Sequence, residues 1–281
     1  MLDDNPLRQY FRRPVLYVKL PSNGTGYPAG ALDLPDNGEI PIYSMTAIDE
    51  ITCRTPDALY NGTSVVEVIR SCAPNIKDPW MVTNVDLDPL LVAIKIASGG
   101  DKMEIGAECQ KCKEPLAYDV NLPNVLAGFK AGDYQTPINV DGMEIKFKPL
   151  SFIEINKANE SQFKLQKMIM SAQETSEGLS EEEDKSRNAK NSGILVAFSE
   201  LAMQLLSTTI EYIKTSEVLV TDPNYILDFF KNCDKRVYEI VKDHNQKLRQ
   251  STETPPLKLK CNECQHEFEQ AFTINMSDFF D

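Results

Sequence analysis

The chain has 281 residues, of which 42% are hydrophobic, so it is long enough for one large domain or two modest ones with a real core. Its formal net charge is −13, which disfavours DNA or RNA binding because phosphate backbones repel an acidic surface. No segment approaches the run of about 20 apolar residues that a membrane-spanning helix needs, and the start, MLDDNPLRQYFRRP, lacks the apolar stretch of a secretory signal, so we expect a protein that is made and kept in a cytoplasm.

The first 100 residues predict a mixture of strands and helices. PVLYVKL and EIPIY favour strands, and the loop between them is rich in glycine and proline. Arg8, Arg12 and Arg13 cluster before the first strand, and we expect them on a solvated face or in contact with an acidic partner. Helical patterns follow in three segments: residues 46–54, a segment that opens near Thr63, and residues 86–100, the last with an acidic start and a glycine stop.

The sequence changes to strand patterns after Gly100. The segment MEIGAECQKCKEPLAYDV predicts a strand, a Cys-x-x-Cys knuckle and a second strand. The next segment, TPINVDGMEIKFKPL, places Asp141 and Gly142 between alternating residues, which is a strong local signal for a β-hairpin.

A helical section is predicted to begin at Ser151. Ser151 and Glu154 match the capping box, the pattern in which the residue at a helix start and the residue three positions later each bond the other's backbone N–H. A second helix is predicted over residues 193–214, and a third opens at Asp222, which is followed by a proline in the favoured first turn.

Two features of this helical section indicate contacts or mobility. Residues 174–184 (ETSEGLSEEED) are acidic and contain no basic residue, which favours an exposed, mobile loop or helix tip.

The third helix has apolar residues at three- and four-residue steps, typical of a helix packed on another helix or on a partner. This apolar seam consists of Ile226, Phe230, Cys233, Val237, Ile240, His244 and Leu248. The acidic, aromatic tail with Phe279 and Phe280 is a second candidate contact.

The segment LKLKCNECQHEFEQAFTI repeats the strand, knuckle and strand pattern near the end of the chain. Two residues between the cysteines let both thiolates face one point, and a tetrahedral zinc site needs four ligands. In a reducing cytoplasm, paired CxxC spacing argues for metal rather than for disulfides. We therefore predict a zinc ribbon split by an insertion, in which one structural Zn²⁺ is held by Cys109, Cys112, Cys261 and Cys264.

Other assignments of these residues stay open. The four thiols are otherwise two separate pairs of free or oxidised thiols, or a redox dithiol. A redox dithiol favours a CxxC at the start of a helix, where the thiolate is stabilised, whereas both knuckles lie between predicted strands. His266 offers a substitute ligand, but with four thiols available we expect an exposed knuckle residue. The isolated cysteines are expected to be buried filler: Cys53, Cys72 and Cys233.

The sequence carries no recognisable catalytic motif. A phosphate-binding GxxxxGK[ST] loop, a dinucleotide-binding GxGxxG, the zinc motif HExxH and the nucleophile elbow GxSxG are all absent. A zinc ion with four protein ligands has no open position for water or substrate. We therefore predict no catalytic residues and no cofactor other than zinc, and we expect a protein that is not an enzyme.

Several motifs in the first half resemble a known family. These are LPSNG, the MTAIDE element, an NGT helix that ends in SC, the helix DLDPLLVAIKIASGG and the knuckle EIGAECQKC, in this order. This order is similar to that of the baseplate hub assembly proteins, or hub chaperones, of T4-like contractile-tailed phages. The resemblance implies a late protein that builds the hub of the tail baseplate, either as an assembly factor in the host cytoplasm or as a component of the virion.

The fold class predicted from these features is α+β, with a mixed helix and strand N-terminal part, a split four-cysteine zinc ribbon and a helical insertion. The predicted regions are residues 1–100 for the N-terminal part, 101–150 with 251–281 for the ribbon and its hairpin, and 151–250 for the insertion. The expected function is protein–protein binding to other baseplate hub or tape-measure proteins, without nucleic acid or membrane, and self-association is left open. The alternatives are a zinc-ribbon nucleic-acid-binding protein, a redox-regulated chaperone and a zinc enzyme with fewer than four protein ligands.

Overall fold

The chain forms two units, of which the second is inserted into the sequence of the first. A computed structural model describes residues 6–54, 62–173, 181–254, 256–272 and 274. Unit 1 comprises Met1–Ala131 and Thr252–Asp281, and unit 2 comprises Gly132–Ser251. The fold is mixed α+β, as predicted, with several small antiparallel sheets.

The described residues contain the following elements in chain order. The strands are β1 (Pro14–Lys19), β2 (Glu39–Tyr43), β3 (Lys102–Glu108), β4 (Pro115–Asn121), β5 (Ile138–Val140), β6 (Met143–Phe147), β7 (Ile210–Lys214), β8 (Leu219–Val220), β9 (Leu257–Lys260) and β10 (Glu267–Gln270). The helices are α1 (Ala47–Cys53), α2 (Thr63–Cys72), α3 (Asn84–Gly99), α4 (Leu122–Gly128), α5 (Phe152–Gln173), α6 (Glu181–Thr208), α7 (Pro223–Asn232) and α8 (Lys235–Thr252).

Helix α3 forms the centre of the core of unit 1. It packs against the two-stranded sheet of β1 and β2, whose inward residues Ile40 and Ile42 are fully buried. A helix that is apolar on most sides belongs in a core, and burial of such side chains stabilises it by about 1.5–3 kcal/mol each. The buried residues of α3 are Val85, Asp86, Pro89, Leu90, Leu91, Val92, Ala93 and Ile94.

Asp86 anchors the glycine-rich loop between β1 and β2. Helix α3 begins two residues before the predicted position, so Asp86 lies inside its first turn and is fully buried. The backbone N–H of Ser22 donates to Oδ1 of Asp86 at 2.9 Å, and Oγ1 of Thr83 donates to Oδ2 at 3.2 Å. Burial raises the pKa of this carboxyl, against the effect of its hydrogen bonds. The carboxyl therefore holds the LPSNG turn onto the start of α3.

Arg12 has an internal structural role, so the prediction of a solvated or partner-binding side chain was wrong for this residue. Its Nη2 donates to both the backbone carbonyl and Oγ of Ser71 at 2.7 Å, and its Nη1 donates to the carbonyl of Ser44. Nη1 also lies 3.7 Å from the carboxylate of Asp49. A guanidinium presents five donors in a fixed fork, which is why one side chain can join several backbone segments.

Unit 2 contains a four-stranded antiparallel sheet with the order β5-β6-β7-β8. The predicted hairpin is present: β5 pairs with β6, and the turn residues Asp141 and Gly142 have φ of 49° and 81°. Positive φ at both central residues is the geometry that the Asp-Gly pair favours. The predicted ribbon region 101–150 includes this hairpin, but β6 pairs next with β7, so the hairpin belongs to the sheet of unit 2.

The predicted helix over residues 193–214 was wrong at its C-terminal end. Helix α6 ends at Thr208, and Ile210–Lys214 forms strand β7. The hydroxyls of Thr208 and Thr209 donate to carbonyls three residues earlier at 2.7 Å, and this bonding competes with continuation of the helix. In the strand that follows, Ile210 and Ile213 are buried, and an irregularity in the pairing with β6 displaces them from strict two-residue alternation.

The apolar seam lies on two helices rather than on one. Helix α7 ends at Asn232, and Asp234 caps α8 by accepting a 2.7 Å hydrogen bond from the backbone N–H of Arg236. The break shifts the helical phase, so Val241 is fully buried while Ile240 is 39% exposed. The seam residues that are buried in unit 2 are Ile226, Phe230, Val237 and Leu248.

Two predicted features lie partly or wholly outside the described residues. Of the acidic segment 174–184, residues 174–180 are not described, and residues 181–184 form the start of α6. The tail residues Phe279 and Phe280 are not described either. None of the described helices is long and apolar enough to cross a membrane.

Candidate metal centre

Two β-hairpins of unit 1 carry the cysteine pairs. In the first, β3 and β4 pair antiparallel from Lys102 opposite Asn121 to Glu108 opposite Pro115, so the knuckle lies at the end of the hairpin. In the second, β9 and β10 pair in the same way. The strand, knuckle and strand order predicted for both segments is therefore present.

The first knuckle is closed by backbone hydrogen bonds around Cys109. The N–H of Lys113 donates to the carbonyl of Cys109 at 2.9 Å, and the N–H of Cys109 donates to the carbonyl of Glu114 at 3.0 Å. Lys113 has a φ of 63°, a left-handed conformation that few non-glycine residues adopt. This tight turn points the side chains of Cys109 and Cys112 to one side.

The second knuckle repeats this backbone pattern around Cys261. The N–H of Gln265 donates to the carbonyl of Cys261 at 3.0 Å, and the N–H of Cys261 donates to the carbonyl of His266 at 2.9 Å. Gln265 has a φ of 57°, equivalent to that of Lys113. In addition, the N–H of Cys264 lies 3.5 Å from Sγ of Cys261 and donates to it. The two knuckles are thus structural copies of one another.

The structure brings the two cysteine pairs together, although they are far apart in the sequence. All four Sγ atoms lie within 4.8 Å of one another. The sulfurs of Cys109 and Cys264 are 3.6 Å apart, and those of Cys112 and Cys261 are also 3.6 Å apart. Each short distance joins one knuckle to the other, so the cluster is shared between the hairpins.

The spacing of the sulfurs fits a tetrahedral metal site better than disulfides. A zinc–sulfur bond of about 2.3 Å places the sulfurs of a tetrahedron roughly 3.8 Å apart, whereas a disulfide needs about 2.05 Å. The observed 3.6 Å separations are close to the first value, and all seven cysteines are free thiols. Four soft sulfur donors in this arrangement are the ligand set that zinc prefers in closed sites.

Backbone N–H groups favour a thiolate at the centre. The N–H of Cys112, with a smaller contribution from the N–H of Lys111, lowers the pKa of Cys109 to about 6. The N–H of Glu114 also lowers the pKa of Cys112, but burial and the hydrogen bonds of the neighbouring thiols raise it to about 12. The neighbouring thiols thus oppose ionisation of Cys112, so all four groups could be thiolates together only with a cation between them.

The cysteine cluster is buried on one side and reaches the surface on the other. Cys109 and Cys261 are fully buried, Cys264 is half-buried and Cys112 is exposed. An apolar cluster covers the buried side, and its members are Phe268, Ala107, Leu116, Tyr118 and Leu259.

The remaining histidines and cysteines lie outside the cluster. Of the described His, Cys, Asp and Glu residues, the four cysteines form the single group whose ligand atoms converge closely enough to hold a metal. His266 instead stacks on the ring of Phe268, with 6.4 Å between the centroids. Cys53 and Cys72 are buried, as predicted, and burial raises the pKa of each to about 11.

The sequence reasoning missed Tyr118 and Phe268. Their rings meet edge to face at 6.5 Å, and Oη of Tyr118 donates to the carbonyl of Lys260 at 3.0 Å. Both aromatic residues lie on the second strand of their hairpins. The strand patterns of both knuckle segments predict that second strand, so its aromatic residues were a signal available in the sequence. Their contact, however, depends on how the two hairpins meet.

Comparison with protein families matches most of the chain to a known family. A sequence model of the family described as T4 bacteriophage base plate protein matches residues 32–281, which is most of the chain and includes both knuckles. Neither the curated proteins nor the solved structures contain a match.

Proposed function

The chain belongs to the T4 bacteriophage base plate protein family, and we propose that it acts as a baseplate hub assembly protein or hub component, built around a structural zinc ribbon. The family gives it a structural role in the phage tail, where baseplate proteins contact one another. The finer assignment to the hub rests on the order of motifs in the first half of the sequence, from LPSNG to EIGAECQKC.

The observation that carries the zinc proposal is the convergence of four thiols from two distant segments. Their Sγ atoms lie within 4.8 Å of one another, and each short contact joins the two knuckles. Cys109, Cys112, Cys261 and Cys264 would be the four ligands, and the ion would supply a cross-link that contributes folding energy.

A site of this kind supports binding rather than catalysis. Four protein ligands complete a tetrahedral shell, which leaves no position for water or substrate. The nucleic-acid-binding and redox-chaperone alternatives are not favoured by membership of a baseplate family, and a zinc enzyme would need a ligand count below four.

The ribbon also has a particular place in the chain. It joins the segment that precedes unit 2 to the segment that follows it, because β4 lies before Gly132 and β9 lies after Ser251. A metal cross-link at this point would tie the two sequence segments of unit 1 to each other.

Unit 1 has exposed apolar side chains of the type that protein partners cover. Tyr10 is 77% exposed, Tyr17 60% and Ile48 74%. Scattered exposed apolar residues are normal, but aromatic residues are enriched at protein–protein interfaces. We propose other hub or tape-measure proteins as the partners.

Metal analysis of the purified full-length protein tests the zinc proposal. We expect about one zinc ion per chain, retained through dialysis against metal-free buffer and lost after treatment with a strong chelator. A preparation that contains no zinc and whose four site thiols all react with a thiol reagent would refute it.

Particle assembly tests the baseplate role separately. Phage that lack this chain should accumulate baseplates without an assembled hub, and mass spectrometry of purified wild-type particles should then show whether the chain remains in the tail. Normal tails in the absence of the chain would contradict the assignment to hub assembly.

A further inference from the structure

The two hairpins that carry the knuckles meet without a shared β-sheet. Among the described residues, β3 pairs with β4 and β9 pairs with β10, each as a separate two-stranded sheet. No backbone ladder therefore aligns one hairpin with the other. In the absence of a ladder, side-chain contacts must determine where the second pair of sulfurs lies relative to the first.

Tyr118 makes such a contact next to the cysteine cluster. It lies on β4, opposite Ile105 of β3. Its Oη donates to the carbonyl of Lys260 at 3.0 Å, and Lys260 directly precedes Cys261. The bond therefore fixes the peptide unit that leads into a predicted ligand on the opposite hairpin.

The ring of Tyr118 strengthens the same junction. It packs edge to face against the ring of Phe268, at 6.5 Å between centroids and an interplanar angle of 73°. Phe268 is 7% exposed and belongs to the cluster of buried residues that contains Cys109 and Cys261. One side chain thus contacts β9 through its hydroxyl and β10 through its ring.

We propose that Tyr118 is a positioning residue that aligns the two half-sites before metal binds. This inference rests on the proposed zinc function of the cysteine cluster. The hydroxyl and ring of Tyr118 hold Cys261 opposite Cys112, so an ion bound by one knuckle meets the second pair of thiols already in place. The affinity for zinc is higher because the second hairpin is already ordered before the ion binds, so binding does not have to offset the entropy lost in ordering it.

The expected effect is large enough to measure. Groups that orient metal ligands without touching the metal typically change metal affinity by about 10- to 100-fold when they are removed. Tyr118→Phe deletes the hydroxyl and keeps the ring, so we expect zinc affinity to fall about 10-fold, at the lower end of that range. Tyr118→Leu also removes the aromatic edge contact and should lower the affinity further.

The test measures zinc affinity of the full-length protein by competition with a chelating dye. Tyr17→Phe is the matched control, because Tyr17 is 60% exposed and its hydroxyl lies in the same unit on another sheet. Hydrogen exchange of residues 257–270 in metal-free protein provides the second measurement. Protection there should fall in Tyr118→Phe and remain unchanged in Tyr17→Phe.

A purely structural role of Tyr118 gives a different result. In that case Tyr118→Phe would lower the melting temperature of the zinc-bound and metal-free proteins equally and leave the zinc affinity unchanged, which would overturn the proposal. If the wild-type protein binds no zinc at all, the proposed function fails, and this inference fails with it. Wild-type binding with an unaltered Tyr118→Phe affinity refutes the positioning role alone.

Discussion

Replacement of one cysteine in each knuckle tests whether the two hairpins share an ion. Cys109 and Cys261 are both fully buried, and each Sγ lies in a cluster with the sulfurs of the opposite knuckle. A serine hydroxyl is not a usual zinc ligand. Because the ion would be common to both knuckles, Cys109→Ser and Cys261→Ser should release metal to the same extent.

The size of the effect follows from mass action. Free zinc at 100 times its dissociation constant stabilises the folded protein by about 2.7 kcal/mol. For a unit of this size, each kcal/mol shifts the melting temperature by about 2–4 °C, so either substitution should lower it by about 5–10 °C. The destabilisation should disappear when wild-type and variant proteins are compared after chelation, apart from the small local effect of the substitution.

The assay is differential scanning calorimetry combined with metal analysis, with and without added zinc. Cys233→Ser is the matched control, because Cys233 lies outside the cluster and is half-buried in unit 2. Its zinc content should equal that of the wild-type protein. If Cys109→Ser released the metal while Cys261→Ser retained it, the two knuckles would not share an ion and the reasoning from the sulfur distances would be wrong.

Three further predictions concern unit 2. Val241→Ala should lower the free energy of unfolding, measured by urea denaturation, by about 2 kcal/mol, because it removes two buried methyl groups. Ile240→Ala removes more of a side chain but at a partly exposed position, so it should lower the free energy of unfolding by less. An equal loss in the two variants would contradict the shifted helical phase. Gly142→Ala should cost about 1 kcal/mol through strain at its φ of 81°, while Gly106→Ala, which has open space and no positive φ, should have little effect on the urea midpoint. Burial lowers the pKa of His244 below its ordinary value, so the folded state binds fewer protons than the unfolded state and stability should fall as the pH decreases through about 6.5. In His244→Gln this part of the pH dependence should be lost, and an unchanged pH profile of the urea midpoint would argue against it.

Much of the local structure was predictable from short sequence patterns. The Asp141–Gly142 pair predicted its hairpin because the turn needs positive φ at both positions. Ser151 and Glu154 predicted a helix start, and in the structure the carboxylate of Glu154 accepts hydrogen bonds from both the N–H and the hydroxyl of Ser151. The Cys-x-x-Cys spacing likewise predicted two knuckles, since a tight turn between paired strands is a local property.

Other local predictions failed where tertiary contacts or competing local bonds decided the outcome. The pattern of residues 210–214 suits either a helix or a strand, and pairing with β6 selects the strand. Arg12 looked like a surface residue because an arginine is usually solvated, yet it joins backbone carbonyls of Ser44 and Ser71 that are distant in sequence. The cap at Asp234 moved Val241, in place of Ile240, into the core.

By itself the sequence determined the types of the local elements and the four thiols available for a metal, because backbone turns, helix caps and strand alternation depend on neighbouring residues. Only the tertiary structure decided that the sulfurs of Cys109 and Cys264, and those of Cys112 and Cys261, lie 3.6 Å apart. It also decided that Tyr118 contacts the opposite hairpin. The physical reason is that the two hairpins share no backbone ladder, so their alignment comes from side-chain packing between segments separated by the whole of unit 2.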